Sequence, residues 1–207
     1  MSANDSLHIE QCDLESIKSL GNTNANPEEI IIHNCHIDEL PNALFIRFRR
    51  LRQLEISESQ MQTLSDFALN GLSALQLLNL SKNNLTTVKT WSNEDLNSLQ
   101  SLDLRRNAIV DMHKDAFKHY PELLKLNLAV NQIASIPDEV FRSLTHLKYL
   151  NLAKNNLVSI DSYTFKHLHK LLLLELKHNA IEYIDAESFV GCTHLRVLHL
   201  QVSFILR

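Results

Sequence analysis

The chain has 207 residues, of which 44% are hydrophobic and only three are Gly and four Pro, so it can bury a sizeable core and holds no linker or low-complexity tract. A formal net charge of −4 lacks the basic excess of a nucleic-acid or anionic-membrane surface, and apolar runs such as Leu171 to Leu174 fall far short of the roughly 20 residues of a membrane helix. Three glycines scarcely allow a phosphate loop, and GxSxG, HExxH and CxxC are all absent, so no catalytic residue and no cofactor is expected.

Along the chain, residues 6–29 hold Leu7, Ile9, Cys12, Leu14 and Ile17, a degenerate first repeat. From Ile30 a Leu or Ile recurs every 24 residues, at Leu54, Leu78, Leu102, Leu126, Leu150, Leu174 and Leu198, each opening the template LxLxxNxLxxL with a Phe behind it. Five positions on stand Cys35, Ser59, Asn83, Asn107, Asn131, Asn155 and Asn179, and fifteen on stand Phe45, Leu69, Asn93, Phe117, Phe141, Phe165 and Phe189. Seven such repeats cover about 27–194 and an incomplete last one covers 195–207, all in a single domain over residues 1–207. Trp91 lies two residues ahead of the Phe position in the third of them, which predicts an altered return segment there.

Alternating strand leucines point inward and their neighbours outward, so each repeat supplies one short parallel strand that buries its apolar face only against the next repeat. An amide both donates and accepts, so a stacked Asn row can satisfy backbone groups where each strand bends away.

With Asn83-Asn84-Leu85, Asn131-Gln132-Ile133 and Asn155-Asn156-Leu157 as its best matches, this template resembles the leucine-rich repeat family over nearly the whole chain. The resemblance implies an α/β solenoid, a horseshoe with a parallel β-sheet on its concave face and short irregular or 3-10 return segments on its convex face. Repeats of 24 residues with a Phe in the return, as in Asp115-Ala116-Phe117, Glu139-Val140-Phe141 and Glu187-Ser188-Phe189, are similar to the extracellular type of Toll-like receptor ectodomains and secreted matrix and immune proteins. The segment from Cys35 to Phe45 resembles secreted insect members. The resemblance further implies a non-enzymatic module, secreted or on the cell surface, that binds a protein or a glycan in innate immunity, adhesion or receptor signalling. The alternative is an intracellular scaffold regulating a phosphatase or ligase complex.

In this family the concave sheet is the default recognition face, and the register assigns its outward residues. Asp103, Asn127, Asn151 and Glu175 lie between the strand leucines; Arg105, Ala129, Ala153 and Lys177 follow them, then Arg106, Val130, Lys154 and His178. Lys125, Tyr149 and Leu173 precede the first leucine. Apolar Val130, Tyr149 and Leu173 interrupt a charged field, the composition of a protein-binding patch; the other reading is a set of charges that only keeps the sheet soluble. Asn4, Asn79 and Asn84 head N-glycosylation sequons, relevant if the chain enters the secretory route.

Cys12 and Cys35 replace Asn in adjacent repeats, about 5 Å apart and within disulfide reach, yet a ladder Cys reads first as a buried thiol. Cys192 reads as a core substitute. His146, His167, His169 and His194 occupy different template columns, so no metal site is expected. Residues 1–30 lack the charged start and apolar stretch of a signal peptide. Gln201-Val202-Ser203 is what a splice donor read as codons would encode, so the chain is either cut from a longer product or continues the template loosely. An uncapped last repeat would leave Leu198, Leu200 and Phe204 near an open end and favour self-association.

Overall fold

The computed structural model describes residues 6–20, 24–92 and 96–201, so the expectations for Asn4, Asn93 and the last six residues, Phe204 among them, lie outside the described residues. Nine parallel strands form one sheet in chain order: β1 (Ser6–Glu10), β2 (Glu29–His33), β3 (Gln53–Ser57), β4 (Leu77–Asn79), β5 (Ser101–Asp103), β6 (Lys125–Asn127), β7 (Tyr149–Asn151), β8 (Leu173–Glu175) and β9 (Val197–His199). Leu54, Leu78, Leu102, Leu126, Leu150, Leu174 and Leu198 pair one to the next, so the sequence period is the sheet register.

The return segments are chains of 3-10 turns. Leu144 N–H donates to the Phe141 carbonyl at 2.9 Å and Leu147 N–H to that of Leu144 at 3.0 Å, and the same pair of bonds recurs from Phe117, Phe165 and Phe189. Among the described residues the α-helix is confined to α1 (Leu14–Ser19) in the first return, where Asp13 Oδ1 caps the Ser16 N–H at 2.8 Å. Behind the main sheet, Glu39–Leu40 pairs with Thr63–Leu64, Thr87–Val88 with Asp111–Met112, and Ser159–Ile160 with Tyr183–Ile184.

The core runs the length of the solenoid between sheet and returns. The strand leucines from Leu54 to Leu174 are at most 2% exposed. The rings of Phe117, Phe141, Phe165 and Phe189 stack at centroid distances of 5.8, 6.3 and 5.9 Å. Trp91 is buried and its carbonyl accepts the Leu69 N–H at 3.1 Å, so the irregular repeat keeps an aromatic in the core from a shifted position. Gly191 lets two returns approach closely: a Cβ there would lie 2.0 Å from the Lys166 carbonyl oxygen, closer than any side chain tolerates.

The Asn row does what its chemistry predicts. Asn131 Oδ1 accepts the Ile109 N–H at 3.1 Å, and its Nδ2 donates to the carbonyls of Leu104 and Leu128, both at 3.0 Å. Asn83, Asn107, Asn155 and Asn179 repeat the pattern across adjacent turns.

One expectation is corrected at the head of this row. Cys12 and Cys35 are joined by a disulfide, because stacking of adjacent repeats brings their Cα atoms to 4.5 Å, and a covalent bond there takes over from an amide. Reducing this bond, which closes a separation of 23 residues, should cost about 3 kcal/mol. Urea unfolding with and without reductant measures the difference, and equal midpoints would contradict a bonded pair. Cys192 is a core residue, its thiol pushed up to about 11 by burial.

Candidate functional site

The residues assigned from the register lie in β5 to β8 of the sheet or just past the ends of these strands. The structure gives the middle row a second role. Asp103, Asn127 and Asn151 each bend forward to accept the N–H two residues on, at 2.9, 3.2 and 3.0 Å, closing the strand end as an Asx turn. Asn151 also donates from Nδ2 to the Tyr149 hydroxyl at 2.9 Å and so fixes the phenol on the face. Tyr149 pairs in register with Leu173, and Leu173 with Val197, making an apolar row that starts beside Lys125. Sequence reasoning missed Val197, although it stands 24 residues after Leu173.

Two acids on this face are held differently. Burial pushes the Asp103 carboxyl up, and the Arg105 N–H and its guanidinium, 3.2 Å away at Nε, only partly offset that. Burial acts on Glu175 in the same sense, but His199 Nδ1 at 2.9 Å and Lys177 Nζ at 3.3 Å hold it below the usual carboxylate range. Lys82 is engaged by Glu58 at 2.6 Å. Arg106, Lys125 and Lys154 make no ion pair among the described residues.

The row after the strands departs from expectation. Ser81, Ala129 and Ala153 stand where the register predicts outward side chains, yet they are buried, because short side chains there sink between their longer neighbours. The next row adopts left-handed backbone in every described repeat, with φ of 54° at Glu58, 56° at Lys82, 55° at Arg106, 58° at Val130, 56° at Lys154 and 60° at His178. These backbones are tied together: Arg106 N–H donates to Ala129, Val130 to Ala153 and Lys154 to Lys177, at 3.0, 2.9 and 2.9 Å. A β-branched residue suits this conformation worst, and Val130 bears a penalty of roughly 1–2 kcal/mol while remaining 40% exposed.

The first three strands carry histidine–glutamate pairs that sequence reasoning missed. His33 Nε2 lies 3.3 Å from Glu55 Oε1, and Ser57 Oγ is 2.7 Å from His33 Nδ1 and 2.9 Å from Glu55 Oε1. Ser6, His8 and Glu29 form a similar group. The signal lay in the 24-residue register, which sets His33 beside Ser57 and Glu175 beside His199. A shallow hollow of about 220 Å³ among Glu55, Leu77, Asn79 and Asp103 separates this acidic end from the basic one.

The return-side histidines have separate partners. His146 lies 4.0 Å from Glu122, His167 4.0 Å from Glu139, and the backbone oxygens of Gly191 and His169 receive His169 and His194 at 3.0 and 2.7 Å. No group of three or more metal-binding side chains occurs among the described residues. Of the sequon asparagines, Asn79 is half-buried with Oδ1 accepting the Ser81 N–H, whereas Asn84 is exposed.

A sequence profile of the leucine rich repeat matches residues 28–85, 49–109, 97–157 and 145–202. A crystal structure of a TLR13–ssRNA13 complex is similar at 28% identity and a TM-score of 0.83, over 89% of this chain and 26% of that one. The mouse RP105/MD-1 complex shares the fold at 23% identity and a TM-score of 0.77, over 90% of this chain and 32% of that one. The chain thus spans about a quarter to a third of the length of these structures. No curated protein sequence matches it.

Proposed function

The chain belongs to the leucine-rich repeat family, and from that premise we propose that it is a recognition module of a secreted or cell-surface protein, acting in innate immunity, adhesion or receptor signalling. Its concave face at β5 to β8 binds a partner protein and performs no chemistry. The observation that carries this reading is the in-register row Tyr149, Leu173, Val197 beside Lys125, an apolar strip half-buried at Tyr149 and Leu173 and exposed at Val197, next to a self-satisfied amide row. Strips of this kind are rare on a solvated sheet and common at interfaces. The Cys12–Cys35 disulfide favours an oxidising compartment over the intracellular-scaffold alternative.

Panning displayed extracellular domains on the immobilised chain tests the assignment. Binders should lose about tenfold or more in affinity on Tyr149→Ala and Leu173→Glu and should be indifferent to Val110→Asp, an exposed position off the concave sheet. Binders sensitive to Val110→Asp alone would overturn the reading.

A second reading rests on Lys82, Arg105, Arg106, Lys154 and Lys177, which line one rim over β4 to β8. The formal charge of −4 sums over the whole chain and does not exclude a single-stranded nucleic acid on that rim, the kind of ligand named for one of the similar structures. Salt separates the two: a single strand loses affinity with a log–log slope of about 0.7 per phosphate contacted.

A further inference from the structure

We infer that the concave face between β5 and β8 seats an acidic, apolar-centred peptide segment of the partner protein, gripped by Arg106 and Lys154 on either side of Val130. The inference rests on the recognition reading above and gives the partner its chemistry.

Three independent features meet at this place. The first is a recess: Ala129 and Ala153, just past the ends of β6 and β7, are short buried side chains between the exposed Arg105 and the half-buried Lys177 in a row that Ser57 and Ser81 begin. The second is unmet charge. Lys82, Arg105 and Lys177 are engaged by Glu58, Asp103 and Glu175, whereas Arg106, Lys125 and Lys154 around the recess make no ion pair among the described residues. The third is an apolar side chain left on the surface between the two cations. Val130 is the only β-branched residue in the left-handed row from Glu58 to His178, and it is 40% exposed while its backbone is held by a hydrogen bond of 2.9 Å to Ala153.

Spacing specifies the occupant. Arg106, Val130 and Lys154 sit on successive turns, so the two cations are separated by two strand spacings, about 10 Å. An extended peptide alternates its faces and rises about 3.3 Å per residue, so carboxylates at i and i+4, about 13 Å apart, share a face within reach of the two long cationic side chains and set an apolar side chain at i+2 over Val130. A phosphate backbone fits less well, because it has no apolar group to set against Val130.

Selection of a random displayed peptide library on the full chain tests this. The expected winners carry Asp or Glu at i and i+4 with an apolar residue at i+2, and lose about threefold to fivefold in affinity with each of Arg106→Ala and Lys154→Ala. Val130→Asn separates recognition from folding, since Asn accepts the left-handed conformation: it should raise the unfolding temperature while weakening the peptides about tenfold. Peptides without acids, or acidic peptides displaced only by changes at Glu55 or Tyr149, would overturn the inference and leave the recognition reading standing. Peptides indifferent to every concave substitution would overturn both. Single-stranded oligouridine that outcompetes the selected peptides at the same residues would replace the acidic peptide with a nucleic acid.

Discussion

Replacing Phe141 by Ala is expected to destabilise the protein by about 3–5 kcal/mol. The ring is 1% exposed and lies between Phe117 at 5.8 Å and Phe165 at 6.3 Å, with planes inclined by 18° and 10°. Its removal therefore takes two ring contacts as well as the transfer free energy of the side chain, and leaves a cavity that the rigid 3-10 turns on both sides cannot close. Because a solenoid couples each repeat only to its neighbours, the damage should be local before it is global. Hydrogen exchange should show protection falling first in the returns around Phe117, Phe141 and Phe165, while β1 to β3 keep theirs. Lys125→Ala on the exposed sheet face is the control, with an expected loss below about 0.5 kcal/mol. Equal, small effects of the two substitutions in urea unfolding would contradict the register.

How much of this was legible in the sequence depended on the range of the physics involved. Inward positions were legible because a strand alternates with period two and the repeat fixes which residues stack: Leu54 on Leu78, Asn131 beside Asn155. Those placements need only the column and the pleat. What lay beyond the columns was missed. Helix α1 depends on a local cap at Asp13 within the shortest repeat. The sinking of Ala129 and Ala153 depends on the length of their neighbours, which a column cannot express. At Cys12 and Cys35 the distance was foreseen and the bond was not, since an amide, a thiol and a disulfide all fit a ladder position of that spacing. On the concave face the register placed Asp103, Asn127 and Asn151 correctly but hid their turn-closing bonds, so those three serve the fold whether or not they touch a partner.

Asn155→Ala is expected to cost about 2–6 kcal/mol, comparable to the loss of a core ring although only one polar side chain is removed. Asn155 is 5% exposed; its Oδ1 accepts the Ile133 N–H at 3.0 Å and its Nδ2 donates to the carbonyls of Leu128 at 2.9 Å and Leu152 at 3.1 Å. Alanine leaves the Ile133 N–H buried and unpaired, at about 1–3 kcal/mol, while the Leu128 and Leu152 carbonyls each lose one amide donor and keep that of Asn131 or Asn179, at about 0.5–1.5 kcal/mol each. The same row supplies the comparison that isolates the cause. Ser59 holds one acceptor and one donor role there, taking the Cys35 N–H at 3.3 Å and donating to the Ser57 carbonyl at 2.9 Å. Asn155→Ser should thus lose about half as much as Ala, whereas Asn155→Asp should lose the most, because it turns a carboxylate onto two carbonyl oxygens. Urea midpoints in the order Ser, Ala, Asp would assign the stability to the donors of the amide. Asp matching the parent would show that the accepted N–H alone matters. The order also explains why the row can weaken toward the amino end: where the amide gives way to Ser59, Cys35 and Cys12, a covalent bond between repeats replaces the lost donors.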